Sequence, residues 1–140
     1  MTAKSLANAY SQVIGNIFSM EIKPLEVEIL VLEVGEGSAP NELYRIAFDG
    51  SIADEKGYAS IGGQAEELKL FLRDKYGDGL RLDHALRLAT RALEAAASQK
   101  VKAENLEVAV LERDRVGRKF RRVTVAELKE LMEKEGNGTG

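Results

Sequence analysis

Leu43 to Gly63 reads LYRIAFDGSIADEKGYASIGG. Tyr44, Ile46 and Phe48 alternate with Leu43, Arg45, Ala47 and Asp49. This period of two predicts a strand with Tyr44, Ile46 and Phe48 on its apolar face. Asp49-Gly50-Ser51 has turn chemistry: an aspartate carboxylate bonds the backbone two residues on, and glycine tolerates positive φ. Gly57-Tyr58-Ala59-Ser60-Ile61 is expected to restart an extended run. Gly62-Gly63 is then expected to turn the chain into a helix over 64–76. The order is strand, turn, strand, glycine pair, helix.

The flanking segments extend the pattern. Leu6, Tyr10, Val13, Ile14, Ile17 and Phe18 fall at helical spacing and predict a helix over 4–20 with one apolar stripe. Pro24 blocks helix continuation and pushes Lys23 toward extended geometry. Leu25 to Val34 then reads as a strand. Val27, Ile29 and Val31 share one face, and Leu30 and Leu32 make the opposite face apolar too, so burial on both sides is expected. Residues 35–41 are a loop by composition.

On the C-terminal side, a helix over 64–76 places Leu68, Phe71, Leu72 and the Lys75 stem together, and Gly77-Asp78-Gly79 ends it. A helix over 82–98 carries Leu82, Leu86, Ala89, Leu93 and Ala96 on one stripe, with Ala85 and Ala92 beside it. Strands are expected over 106–111 and 119–123, joined by a charged hairpin loop over 113–117. Thr124-Val125-Ala126-Glu127 is a capping box that opens a last helix to about residue 134. The fold class is therefore α/β (α+β), with antiparallel strands and helices packed on the sheet. Residues 1–135 are expected to form one partial domain and 136–140 a disordered tail.

Composition narrows the function classes. The net charge of −3, with both signs interspersed, leaves no electrostatic footprint for nucleic acid or a membrane surface. The absence of cysteine excludes a disulfide framework and a thiolate metal site. No apolar run reaches the length of a membrane span.

Each residue with reactive potential has a plainer reading. His84 is the only histidine, with no second ligand at metal spacing, and is read as a surface or half-buried side chain. Asp74, Asp78 and Gly79 fail the spacing of a calcium loop and read as a helix C-terminus. Gly62-Gly63 could cradle an anion, but lacks the longer glycine fingerprint and reads as a tight strand-to-helix turn. Asn137-Gly138-Thr139 matches a glycosylation acceptor and is expected to be silent. Arg113, Arg115, Arg118, Lys119, Arg121 and Arg122 form the one basic cluster. It reads as a solvated hairpin pairing with Glu112 and Asp114, with binding of an acidic partner as the alternative. No catalytic, cofactor-binding or metal-binding residue is assigned.

Three separated segments, in collinear order, resemble one family: the α-type subunits of the 20S proteasome in their actinobacterial form. The first holds Tyr44-Arg45-Ile46, Phe48-Asp49-Gly50-Ser51-Ile52, Asp54-Glu55, Gly57-Tyr58 and Gly62-Gly63. The second, Ser5 to Gly35, looks like a core helix, its Lys-Pro turn and a strand ending Glu-Val-Gly. The third, Asn105 to Met132, includes Phe120-Arg121-Arg122 and looks like the last strand and terminal helix. The match runs from about Ser5 to Met132 and corresponds to the C-terminal portion of such a subunit. The family's N-terminal tail, first helix, first strands and first core helix have no counterpart in these residues.

The resemblance implies half of a two-sheet sandwich of the N-terminal-nucleophile-hydrolase type. It implies a non-catalytic structural subunit that helps form a ring for cytosolic protein degradation. It also implies a cytoplasmic location, and other α subunits, β-type subunits and an ATPase activator as partners. Catalytic relatives use an N-terminal threonine as nucleophile. Loss of Met1 would expose Thr2, but Thr2 leads into a helix and reads as its cap. The alternatives are an N-terminal-threonine peptidase relative and a standalone dimeric interaction module. Leu6, Tyr10, Val13 and Ile17, and the 25–34 strand, are expected to be left uncovered and to drive homo-oligomerisation.

Overall fold

The computed structural model describes residues 2–20 and 26–133, the side chains of Ser19 and Met20 apart. Pro24 and its turn, the first residue of the expected 25–34 strand, the end of the last helix and the 136–140 tail lie outside the described residues. The chain divides into two compact units, Met1–Gly63 and Gln64–Gly140.

The first unit is one helix on a three-stranded sheet. Helix α1 spans Ala3–Met20, and strands β1 (Ile29–Glu33), β2 (Glu42–Ile46) and β3 (Ile52–Asp54) follow. The strands are antiparallel in the order β1-β2-β3. Ile29 pairs with Ile46 and Val31 with Tyr44, so these four share the face toward α1. Ala3, Ala7, Ile14, Val31 and Ile46 are the buried core, with Leu6, Val27, Ile29 and Tyr44 packed against it.

The turn at the centre of the quoted stretch forms as its residues dictate. The Asp49 carboxylate accepts from the Ser51 amide at 2.9 Å, and the Gly50 amide donates to the Ala47 carbonyl at 2.9 Å. Gly50 has φ 87°. A Cβ on Gly50 would lie 2.7 Å from the Gly15 Cα, so helix and turn touch backbone to backbone. The Ser11 hydroxyl donates to the Gly50 carbonyl in the same contact.

The expected stripe of α1 holds in part: Ile14 is in the core and Leu6 packs against it. Small residues, Ala3 and Ala7, face the sheet with Ile14, while Tyr10 (44% exposed), Val13 (55%) and Phe18 (43%) stay out in solvent. Two strand expectations also change. The outgoing strand is Ile52–Asp54, directly after the turn, and residues 57–61 form no strand. The tight Asp49-Gly50-Ser51 reversal returns the chain at once, and Glu55 adds one more bond, its amide to the Leu43 carbonyl at 2.9 Å. Phe48 lies past the end of β2 and stacks edge-on against Phe18, ring centres 5.8 Å apart. The second face of β1 is not buried: Leu32 is 55% exposed.

The second unit holds α2 (Ala65–Lys75), α3 (Leu82–Ala97), a 3-10 turn (Ala103–Asn105), β4 (Val108–Leu111), β5 (Phe120–Val123) and α4 (Val125–Glu133). β4 and β5 are antiparallel, Val108 opposite Val123 and Leu111 opposite Phe120. Leu86, Ala103, Val123 and Leu128 form the core, with Leu106, Val108, Val110, Leu131 and Met132 against it. On α3 the buried residues are Leu86, Thr90 and Ala92, whereas Ala89 and Leu93 of the expected stripe are exposed. Thr90 enters the buried face because its hydroxyl donates to the Leu86 carbonyl at 2.8 Å, which removes the cost of burying it.

Helix ends follow local chemistry. Ser98 takes a left-handed φ of 54° after α3. The Glu127 amide donates to the Thr124 hydroxyl at 3.2 Å, half of the expected capping box. The Glu127 carboxylate goes instead to Arg121.

Candidate functional site

Thr2 sits at the start of α1 as its cap. Its hydroxyl accepts from the Ser5 amide at 3.1 Å, and its backbone nitrogen donates to the Ser5 hydroxyl at 3.1 Å. The next amide, Ala3, donates to the Glu33 carboxylate at 3.2 Å. Both polar groups that a threonine nucleophile would use are thus engaged in holding a helix end.

His84 is exposed, and its Nε2 lies 4.0 Å from Asp83. Arg81 (3.6 Å) and Arg87 (3.7 Å) flank the same carboxylate. Desolvation pushes the Asp83 carboxyl up, but the His84 amide and the charges of His84, Arg81 and Arg87 outweigh it and hold the group below its ordinary value. The Nη1 of Arg87 is buried without a hydrogen-bond partner. The cluster staples the first turn of α3, and acid next to the helix N-terminus also suits the helix dipole.

Asp74 and Asp78 do not converge. Asp74 pairs with Arg73 at 3.3 Å, and the Tyr76 hydroxyl donates to Asp78 at 3.2 Å. Gly79 adopts φ 76° in the turn after α2. Among the described residues no three His, Cys, Asp or Glu side chains are placed to share a metal. Gly62, at φ 103°, supplies its amide to the Glu28 carboxylate at 3.3 Å, so a side chain takes the donor that an anion would need. Asn137 lies outside the described residues.

The basic cluster folds back on its own hairpin. Arg121 bridges Glu112 and Glu127, each at 2.8 Å, and hydrogen bonds to these two carboxylates raise its already high pKa. Lys119 donates to the Arg113 carbonyl at 2.8 Å and also to that of Arg115. Arg118 stacks over Phe120, 5.4 Å from the ring centre. The expected pairing with Glu112 is present. The second carboxylate on Arg121 is Glu127 of α4, which the capping box predicts on the Thr124 amide. Lys129 to Glu104 at 2.7 Å ties α4 to the 3-10 turn.

Periodicity did not expose a further group on the sheet. Arg45 lies between Glu55 (3.1 Å) and Glu28 (3.9 Å) on the face turned away from α1. Leu30, Leu32, Leu43 and Ala53 share that face by register. A shallow depression between α2 and the end of α3 is lined by Phe71, Arg91, Glu94 and Lys100. Glu94 there already accepts from the Val101 amide at 3.0 Å. Tyr10, Val13, Leu32 and Val116 are among the large apolar side chains left on the surface. The geometry suits contacts between proteins better than chemistry on a small molecule.

Comparison with known proteins agrees with that character. A family model described as Proteasome subunit matches residues 1–111. The chain is 44% identical to the proteasome subunit alpha of Saccharomonospora viridis, aligning all of this chain with 58% of that protein. It is 47% identical to the proteasome subunit alpha of Saccharopolyspora erythraea, over 94% of this chain and 52% of the relative. The corresponding protein of Streptosporangium roseum is 46% identical over 99% of this chain and 53% of its own length. The chain thus spans a little over half the length of the curated relatives it matches. No helix among the described residues is long and apolar enough to cross a membrane. With a helix-on-antiparallel-sheet architecture and a family match over most of its length, the chain belongs to the proteasome subunit family, its relatives being α-type subunits of actinobacteria.

Proposed function

We propose that this chain is a non-catalytic structural part of an α-type proteasome subunit, contributing to ring assembly for protein degradation in the cytoplasm. The observation that carries the reading is the extended similarity to proteasome subunits alpha. The capping role of Thr2 supports it, because a hydroxyl and nitrogen tied to Ser5 are not poised for nucleophilic attack. No residue is assigned a catalytic, cofactor-binding or metal-binding role. Residues 1–135 are parts of one α-subunit-like domain, and 136–140 a tail. The sheet of the first unit contributes to a two-sheet sandwich of the N-terminal-nucleophile-hydrolase type. The apolar face bearing Leu30, Leu32 and Leu43 supports that, since such a face is stable only when covered. Partners are other α subunits, β-type subunits and an ATPase activator.

The test is co-expression of the tagged chain with the α- and β-type subunits of an actinobacterial relative. Isolation of a stacked ring particle containing the chain is expected, together with no cleavage of fluorogenic peptides by the chain alone. Peptide turnover by the isolated chain that Thr2→Ala abolishes would replace this reading with a threonine peptidase. A chain that never enters a particle would remove the structural role.

A further inference from the structure

We propose that the β4–β5 hairpin is a docking surface for a short acidic peptide segment of a partner protein. Residues 112–122 read ERDRVGRKFRR, six cations against two carboxylates, in a chain whose net charge is −3. Positive charge is therefore concentrated on the hairpin, and the remainder of the chain is acidic. Little of it is neutralised in place. Arg121 shares the inward face with Val123 and is taken by Glu112 and Glu127. Arg115, Arg118, Lys119 and Arg122 have no carboxylate partner among the described residues. Three of these are held by neutral groups instead. Arg115 Nη1 donates to the Phe120 carbonyl at 3.4 Å, Lys119 donates to the Arg113 carbonyl at 2.8 Å, and Arg118 lies over the Phe120 ring. Carbonyls and a ring face order a cation without cancelling its charge, so an incoming anion meets groups already positioned.

Register places the surface. Phe120 and Arg122 alternate with Arg121 and Val123, and Val123 is buried, so Phe120 and Arg122 face outward. Leu111 stands opposite Phe120, and Ala109 opposite Arg122. The outward face thus carries a small apolar strip beside unneutralised guanidinium groups. Charge selects the occupant, because a carboxylate-rich segment meets complementary potential there. The charge of the rest of the chain selects a short one, because a long polyanion would run onto acidic surface. The Phe120 ring carries Arg118 over one face, whereas a nucleic-acid strand needs an open ring on which to stack its bases. A peptide pairs with the guanidinium groups without displacing Arg118. Exposed ion pairs are individually weak, so the dissociation constant is on the order of 100 µM at low salt.

The inference stands on the hairpin and does not rest on the proposed role in a proteasome. Fluorescence anisotropy with the full chain tests it, using labelled hexaglutamate beside hexaglutamine and an oligouridine of the same length. Hexaglutamate is expected to bind, and to weaken about tenfold between about 50 and about 500 mM salt. Hexaglutamine is expected not to bind, and oligouridine to bind more weakly than hexaglutamate. Arg118→Glu with Arg122→Glu, both at exposed positions, is expected to weaken hexaglutamate about tenfold or more with unchanged circular dichroism. Arg118→Gln with Arg122→Gln is expected to give an intermediate loss, as a graded electrostatic contact requires. Lys56→Glu with Arg73→Glu makes the same change in net charge on exposed side chains elsewhere, and is expected to leave binding within about twofold. No binding of hexaglutamate at low salt would overturn the proposal. So would an equal loss from the two charge-reversed pairs, which would reduce the effect to net charge. Equal binding of hexaglutamine would remove the carboxylates from recognition, and tighter binding of oligouridine would make the hairpin a nucleic-acid surface instead.

Discussion

The helix of the first unit and the terminal helix of the second meet their surroundings by opposite means. α1 approaches its sheet backbone to backbone, with Gly15 over Gly50, Ser11 bonded to the Gly50 carbonyl, and Ala3 and Ala7 lying flat. α4 is held by volume and charge: Leu128 is 1% exposed, Leu131 and Met132 pack beside it, and Glu127 and Lys129 pair with Arg121 and Glu104. Contact limited by backbone, as at Gly50, leaves no room for an added Cβ. Contact filled by side chains suffers most when atoms are removed. The two regions should therefore fail under opposite kinds of substitution.

The largest effect is expected from deletion in the second unit. Leu128→Ala should cost about 2.7–5 kcal/mol, the range for truncating a fully buried leucine. Urea unfolding followed by circular dichroism measures it, and a cost under 1 kcal/mol would mean that α4 does not depend on this side chain. Amide exchange in the same variant sharpens the comparison. If all 135 residues form one domain, as proposed, protection in β2 around Ile46 falls together with protection in α4. If only α4 and its neighbours lose protection, the two units are independently stable.

Addition should do in the first unit what deletion does in the second. Gly50→Ala places a methyl 2.7 Å from the Gly15 Cα at a φ of 87°. The expected cost is about 2–4 kcal/mol, from strain at positive φ plus overpacking. Gly79→Ala is the control. Gly79 also has positive φ, but nothing lies within 4 Å of its Cβ position, so only the backbone strain of about 1–2 kcal/mol remains. Equal costs at the two sites would show that α1 does not press on the turn.

Thr124→Ala should cost about 1 kcal/mol through loss of the hydroxyl that accepts the Glu127 amide. Fraying at the start of α4, seen as faster exchange of the Glu127 amide, locates the loss. An unchanged unfolding midpoint would mean that the Arg121–Glu127 ion pair alone holds this helix end.

The smallest effect concerns acid titration of the turn under α1. The Ser51 hydroxyl donates to Asp49 at 2.7 Å and its amide at 2.9 Å, and these bonds hold the Asp49 carboxyl below its ordinary 3.8. A carboxyl with a depressed folded pKa stabilises the fold above its unfolded value. That contribution disappears as pH falls through the folded value, here below 3.8. NMR titration of Asp49 should show the depression, and Ser51→Ala should move the midpoint upward. An unmoved midpoint would detach the turn's hydroxyl from the titration.

Much of this architecture is legible in the sequence. The Asp49-Gly50-Ser51 turn, the alternation of Tyr44 and Ile46, the cap at Thr124 and the ends of α2 and α3 follow from rules acting over a few residues. Less was legible where a distant segment decides. Nothing in Gly57 to Ile61 announces that β3 has already formed at Ile52–Asp54, because strand pairing depends on how tightly the turn returns the chain. The Arg45 group between Glu28 and Glu55 joins residues up to 27 positions apart, and Arg121 joins a strand end to a helix start across the β4–β5 pair. The bland readings of His84, Asp74, Asp78 and Gly62-Gly63 could be stated from spacing, but their actual partners could not.

By itself the sequence determined the kinds of element, their order, most of their ends and the family resemblance. Each depends on propensity, capping and period, which are properties of neighbouring residues. Tertiary structure decided which stripe of α1 faces inward. Hydrophobicity favours Tyr10, Val13 and Phe18, yet the sheet takes Ala3, Ala7 and Ile14. Gly15 and Gly50 bring the two backbones together, Ile14 and Leu6 pack on the sheet side, and Tyr10, Val13 and Phe18 are left exposed, a choice set by the packing partner and not by the helix period.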